Sequence, residues 1–200
     1  MKSFRSNHYF IRPAIVRLIA ASFIIILISV AAGKIEANAP LIKDDFKVTT
    51  VFLVRHAEKA TTPPEDPPLT EAGNSRAQQL ARLLEQAGIK AIYTSQFLRT
   101  KQTVEPLAKS LGITPTLIPI KMNPSNPREI SQQSIKDITE KIQERAGEAA
   151  LVVGHSNTVP EVIKMLGVSE PVSIDEREFG NLFIVTVYAK GKAHVARLKY

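Results

Sequence analysis

Two of the four histidines in this chain stand where chemistry can be done. His56 follows the apolar run Val51–Val54, and His155 follows Leu151–Val153. Both therefore occupy the carboxyl ends of predicted strands. Arg55 immediately precedes His56. Gly154 precedes His155, with a helix predicted to begin right after it. Arg99 follows a third short apolar run, near another predicted helix start. Two guanidinium groups offer planar forks of donors that match a phosphoryl group. A neutral imidazole can attack phosphorus in line. A second imidazole, expected to be protonated, adds positive charge where the equatorial oxygens gain negative charge in the transition state. Helix starts contribute free N–H groups and a partial positive charge. Cationic side chains of this kind can do the work of a metal, so none is expected. Each piece alone has an ordinary reading: a hydrogen-bonded loop pair, a helix cap, a solvated helix residue. Their joint occurrence at three strand ends is what points to phosphoryl chemistry.

The elements that must position these residues read as strands alternating with helices. Val48–Val54 is a β-branched, apolar strand. A Pro-rich loop, Thr61–Pro68, leads to Thr70, which is placed to cap a helix with Ala77, Leu80, Ala81 and Leu84 on one face and Gly88 at its end. Ala91–Thr94 is a second strand. Ser95 can cap the next helix, and Pro106 should kink or restart it. Thr116–Ile118 is a weak strand. Asn126-Pro127-Arg128-Glu129 has the form of a helix start, with Ile135, Ile138 and Ile142 as the core stripe beyond it. Ala150–Val153 is a strand apolar on both faces. Thr158-Val159-Pro160-Glu161 matches a capping box. Leu182–Tyr188 and Ala193–Tyr200 form a closing pair about Lys190-Gly191. The expectation is a three-layer α/β/α fold on a mostly parallel sheet. Ligands in such sheets bind beyond the carboxyl ends of the strands, where His56 and His155 lie.

Composition narrows the field. Apolar residues make up 44% and charged residues 22%, enough for an ordinary globular core. The formal charge is +7, but five cations against Glu36 place +4 of it in residues 1–39. The remaining +3 is too mild to imply a nucleic-acid partner. There is no cysteine, which excludes a disulfide scaffold, a thiolate metal site and a cysteine nucleophile. The leading segment has the three-part layout of a secretory signal. Basic residues precede the uncharged stretch Leu18–Gly33, and Ala37-Asn38-Ala39 offers small residues at peptidase spacing. Residues 1–39 are thus expected to be a signal peptide or, if uncleaved, an N-terminal membrane anchor. A domain over residues 45–200 would then work outside the cytoplasm, in a periplasmic setting, free or attached to the inner membrane.

With these residues in place, the sequence resembles the histidine phosphatase superfamily, which includes the phosphoglycerate mutases. Val54-Arg55-His56-Ala57-Glu58-Lys59 is similar to its first-histidine signature, and Leu69-Thr70-Glu71-Ala72-Gly73 to its LTxxG helix start. The block Tyr93–Thr103 is similar to YxSxLxRxxQT, and Val152-Val153-Gly154-His155-Ser156 to the second-histidine block. Four blocks in order make the likeness specific. It implies a phosphoglycerate mutase-like fold of the small branch 1 kind that includes phosphohistidine phosphatases. It also implies His56 as the phosphorylated nucleophile and Arg55, Arg99 and His155 as the phosphate pocket, with no cofactor. The expected partner is a small phosphorylated substrate.

Two departures bear on the chemistry. Leu117–Pro127, where many members carry a proton-donating Glu, contains no acid, and Ser156 stands where the acid-phosphatase branch has Asp. Glu58 is the nearest candidate donor in sequence, with pairing to an arginine as its alternative role. Without a strong acid, aryl phosphates, acyl phosphates and phosphoramidates are the favoured substrates. The same gap leaves room for an exported phosphate- or phospho-ligand-binding protein with little turnover. A metal-dependent hydrolase on His56 and His155 is disfavoured by the lack of HxH or HExxH spacing.

Overall fold

The central strand, β1 (Thr49–Arg55), is buried along nearly its whole length. A strand wholly covered on both faces needs apolar side chains on both, and Val51-Phe52-Leu53-Val54 supplies them. The computed structural model describes residues 47–200, so the signal or anchor segment expected over residues 1–39 lies outside the described residues. After β1 come α1 (Glu71–Leu84), β2 (Ile89–Thr94), α2 (Leu98–Leu111) and β3 (Thr116–Leu117). Then follow β4 (Met122–Asn123), β5 (Asn126–Ile130), α3 (Gln132–Gln143), β6 (Ala149–Gly154), α4 (Val159–Met165), β7 (Asn181–Ala189) and β8 (Lys192–Lys199). The main sheet has the order β3-β2-β6-β1-β7-β8. Its first four strands are parallel, and β7 and β8 add antiparallel at one edge.

Alternation along the strands builds two cores. Val51 and Leu53 of β1 face Ile135, Ile138 and Ile142 of α3 and Val162 and Ile163 of α4. Phe52 and Val54 face Leu80 and Leu84 of α1 and Val104 and Leu107 of α2. Each fully buried aliphatic side chain of this kind contributes roughly 1.5–3 kcal/mol. The result is the expected three-layer α/β/α arrangement.

Local chemistry explains where the helices begin. The Thr70 hydroxyl accepts the Gly73 N–H at 3.1 Å, capping α1. Gly73 is required for a second reason: a Cβ there would lie 2.2 Å from the carbonyl oxygen of Glu58. That contact lets α1 pass directly beneath the loop that carries His56.

Four local expectations are corrected. Asn126–Glu129 does not start a helix; it forms β5, paired antiparallel with β4. Glu129 accepts from the Asn126 and Asn123 amides, tying the hairpin, and Ser131 caps α3 instead by accepting from the Ser134 N–H. Ser95 does not cap α2. Pro106 does not restart that helix, which runs through it to Leu111, because Val104, Leu107 and Ala108 on either side are held in the core. The Thr158 side chain makes no capping bond to α4 and donates to the Asn157 amide oxygen.

Candidate active site

The parallel pairing of β1 and β6 sets the site. Arg55 lies opposite Gly154, and the His56 N–H donates to the Gly154 carbonyl at 2.9 Å. The two histidines therefore leave neighbouring strand ends together. Their ring centroids are 5.3 Å apart, at 63°. His56 Nδ1 is 2.8 Å from the carbonyl oxygen of Ala57. A carbonyl can only accept, so Nδ1 carries the proton and Nε2 keeps a bare lone pair. The loop is fixed from behind by α2. The Ala57 N–H donates to Thr103 Oγ1 at 3.0 Å, and that hydroxyl donates to the Arg99 carbonyl at 2.7 Å. Burial pushes His56 down to about 4, reinforced by Arg55, Arg99 and Lys59 and partly offset by the bond to Ala57. The ring is neutral near pH 7 and chemically ready to attack an electrophile.

His155 is oriented by a chain of hydroxyls. Its Nε2 lies 3.1 Å from Ser95 Oγ, which lies 2.9 Å from Thr100 Oγ1. The Thr100 hydroxyl donates to the Phe97 carbonyl at 2.8 Å. Each group has one proton to give, so the chain runs one way: His155 donates to Ser95, Ser95 to Thr100, and Thr100 to the backbone. This is what Ser95 does in place of the expected cap. Burial pushes His155 down to about 3, with His56, Arg99 and Arg55 adding to the effect. The expectation of a protonated second histidine is corrected accordingly: it is neutral until a negative charge enters to offset its cationic neighbours. The helix after it starts only at Val159, and the N–H groups of Thr158 and Val159 are bonded to the His155 carbonyl. They are not free to meet an anion as the sequence suggested.

The arginines complete the ring of donors. Arg55 is buried, and its Nη1 donates to the carbonyls of Asp175, Glu176 and Glu178 at 3.1, 2.7 and 3.3 Å. Its Nη2 pairs with the Glu176 carboxylate at 2.7 Å, and the guanidinium lies 4.3 Å over the Phe179 ring. Arg99 stacks 4.1 Å over Phe97 and lies 3.8 Å from the Asp66 carboxylate. The Nε–H groups of both arginines are buried without a hydrogen-bond partner. An unsatisfied buried donor costs about 1–3 kcal/mol, so two beside the same pair of histidines mark a place prepared for an anionic acceptor.

Glu58 belongs elsewhere. Its two carboxylate oxygens accept from Arg76 Nε, both at 2.9 Å, and one accepts from Nη2 at 2.6 Å. These bonds hold it below the usual carboxylate range despite partial burial. It is an ionised partner of α1, the alternative the sequence left open, and not a poised proton donor. Among the described residues, no three His, Cys, Asp or Glu side chains converge to hold a metal ion.

The sequence reading missed several contributors. Ser95, Thr100 and Thr103 lie inside the Tyr93–Thr103 block, so a signal existed for them. Asp66 lies in the Pro-rich loop Thr61–Pro68, where nothing in the sequence singles it out. Glu176 and Phe179 had no signal at all: Asp175-Glu176-Arg177-Glu178 reads as a solvated charge run.

The chain is similar to proteins already known. The model of the histidine phosphatase superfamily (branch 1) matches residues 51–124. Probable phosphoglycerate mutase GpmB of Escherichia fergusonii is 32% identical over 127 residues, 60% of this chain and 58% of that protein. The chain thus spans less than two thirds of the length of this curated relative. Among solved structures, the protein histidine phosphatase SixA complexed with tungstate superposes with a TM-score of 0.58 at 20% identity, over 75% of this chain and 96% of that one. Phosphoglycerate mutase from Bacillus anthracis gives 0.59 at 18% identity, over 77% and 94%. At such identities the likeness is one of fold, and the fold is phosphoglycerate mutase-like.

Proposed function

We propose that the chain, whose residues 51–124 match the histidine phosphatase superfamily (branch 1) model, is a phosphatase of that kind that hydrolyses phosphomonoesters through a phosphohistidine on His56. The observation that carries this reading is the bare Nε2 of a neutral His56 set among Arg55, Arg99 and His155. Arg55 and Arg99 bind the phosphoryl oxygens, offering the Nε–H groups that lack partners. His56 Nε2 attacks phosphorus in line; the P–N bond forms as the P–O bond to the leaving group breaks. His155, positioned by Ser95, is drawn toward its protonated form by the dianion and stabilises the equatorial oxygens. Water then attacks the phosphohistidine, releasing phosphate and restoring neutral His56. The cationic side chains supply the charge stabilisation a metal would otherwise give. The signal-like N-terminus supports action outside the cytoplasm, with attachment to the membrane if residues 1–39 are retained.

The test is phosphate release from p-nitrophenyl phosphate in EDTA, beside a His56→Ala control. Turnover by the parent and a loss on the order of 10⁴-fold or more in the variant are expected. Appreciable turnover by His56→Ala would sink the nucleophile assignment. A parent that binds vanadate yet turns over no phosphomonoester would favour a phospho-ligand-binding protein on the same fold.

A further inference from the structure

A phosphatase of this design has to protonate its leaving group, and neither position where relatives place an acid holds one here. We propose that Glu176 is the proton donor. This inference rests on the phosphatase reading above. The Glu176 carboxylate bridges the neighbours of the two histidines. Its Oε2 lies 2.7 Å from Nη2 of Arg55, the residue before His56. Its Oε1 accepts the hydroxyl of Ser156, the residue after His155. Ser156 thus occupies the place of the missing acid in sequence and holds a carboxylate there in space, supplied from twenty residues further along the chain.

The other carboxylates around the site are spent. Glu58 is clamped by Arg76. Asp66 accepts the Leu98 N–H at the start of α2 with both oxygens, at 2.9 and 3.1 Å. Asp175 is turned to Arg177, and Glu178 to Arg197 and Lys199. Glu176 also lies on the right side. In-line attack by the buried His56 sends the leaving group toward solvent, and the Glu176 side chain is 77% exposed, although it is bonded to a floor residue that is 4% exposed.

The ion pair with Arg55 sets the protonation order. An arriving phosphoryl group binds the unpartnered Nε–H of Arg55 and so sets a second anion beside the Glu176 carboxylate on Nη2. Two anions side by side repel, and a proton between them relieves that repulsion. The proton comes from the substrate monoanion, which is abundant below a pH of about 6, or from solvent. Glu176 then gives it to the leaving oxygen as the P–O bond breaks and the bond to His56 Nε2 forms. In the second step the carboxylate takes a proton from the attacking water, so the cycle closes with Glu176 protonated and free to lose that proton as phosphate departs. Alkyl phosphomonoesters, whose alkoxides depart only when protonated, thereby enter the substrate range.

The test compares Glu176→Gln with the parent on p-nitrophenyl phosphate and on glycerol phosphate. Glutamine keeps one acceptor oxygen for Arg55, and its amide N–H can donate to the Ser156 hydroxyl, but it cannot donate a carboxyl proton. The expected result is a loss of about 10²-fold or more in kcat/KM for glycerol phosphate and a loss at least tenfold smaller for p-nitrophenyl phosphate, whose leaving group departs without a proton. Glu176→Asp should recover part of the loss on glycerol phosphate. Ser156→Ala should give a smaller loss with the same leaving-group dependence, as a positioning residue would. Equal losses on both substrates, or a gain on both, would overturn the proposal, the gain showing a carboxylate that merely competes for Arg55. A parent active on p-nitrophenyl phosphate and inert toward glycerol phosphate would overturn it too. A parent inert toward every ester, with no phosphoenzyme trapped, would instead remove the phosphatase reading on which it stands.

Discussion

Arg55 and Arg99 bracket the same two histidines, each with a phenylalanine against its guanidinium and a carboxylate nearby, yet the protein holds them in opposite ways. Arg55 is 4% exposed and meets three carbonyls and a carboxylate at 2.7 Å. Arg99 is 15% exposed and, beyond its stack on Phe97, has among the described residues just the ion pair to Asp66 at 3.8 Å. The segment 175–179 folds over one flank and uses Arg55 as its anchor. The Pro-rich loop 61–68 reaches the other flank but spends its carboxylate on the helix start behind Arg99. One arginine is fixed before substrate arrives; the other keeps its donors for it. Preorganised donors stabilise a transition state without reorganising, whereas a freer guanidinium can follow the phosphoryl group as its geometry changes.

The sharpest way to break this contrast is Arg55→Ala. It removes a phosphate donor and leaves the carbonyls of residues 175, 176 and 178 without their partner. A loss of about 10³-fold in kcat/KM is expected together with a lowered Tm, since the part-buried carbonyls of the 175–179 segment lose their common partner. Arg99→Ala should cost about 10²-fold in kcat/KM with little change in Tm, because few protein groups depend on that side chain. A loss well below tenfold for Arg99→Ala would take it out of the pocket. Equal changes in Tm for the two variants would erase the difference between the flanks.

Acidity tests the charge that both flanks place on His56. With the ring pushed down to about 4, the attacking neutral form persists at pH 5, where an ordinary histidine at 6.5 would be about 97% protonated. The acid limb of kcat/KM should therefore fall near pH 4, leaving activity at pH 5 about 30-fold above that of an unperturbed imidazole. Arg99→Ala removes one of the depressing cations, so its acid limb should move to higher pH. An acid limb at 6.5 in the parent would contradict the burial of His56. Stability has a matching sign. Both histidines have folded values below 6.5, so the unfolded chain binds more protons between about pH 3 and 6.5. Stability is fully present above 6.5 and declines as pH falls through that window, which thermal melts at pH 7.5 and 4.5 can read.

The contrast also explains what could be read from the sequence. His56, His155, Arg55 and Arg99 were legible because strand alternation and strand-end position expose them to a general rule about parallel sheets. The isoleucine stripe of α3 and the Thr70 cap were legible through periodicity and local hydrogen bonding. Asn126–Glu129 misled because local capping chemistry competed with Ser131 five residues on, and burial of Ile130 favoured the later start. Glu176 was illegible for a different reason. Its role depends on a loop crossing 121 residues of sequence to reach Arg55, and nothing in its neighbourhood distinguishes it from Asp175 or Glu178. Glu58 shows the converse: adjacency to His56 suggested chemistry, while Arg76, eighteen residues on, claims it. Glu58→Gln is accordingly expected to lower stability by about 1–2 kcal/mol, or several degrees in Tm, with kcat/KM falling far less than in either arginine variant.

The smallest expected effect separates the two rim carboxylates. Asp66→Asn keeps one acceptor for the Leu98 N–H and loses the charge beside Arg99 and the start of α2. A stability cost of about 0.5–1 kcal/mol is expected from the weakened helix start, some 1–4 °C in Tm. The rate should shift by less than fivefold, and by the same factor on p-nitrophenyl phosphate and on glycerol phosphate, because a carboxylate that holds a backbone N–H has no proton to offer a leaving group. A loss confined to glycerol phosphate would reverse the assignment. The open flank would then carry the acid, and the anchored flank, with Glu176 on Arg55, would serve only to hold the pocket's shape.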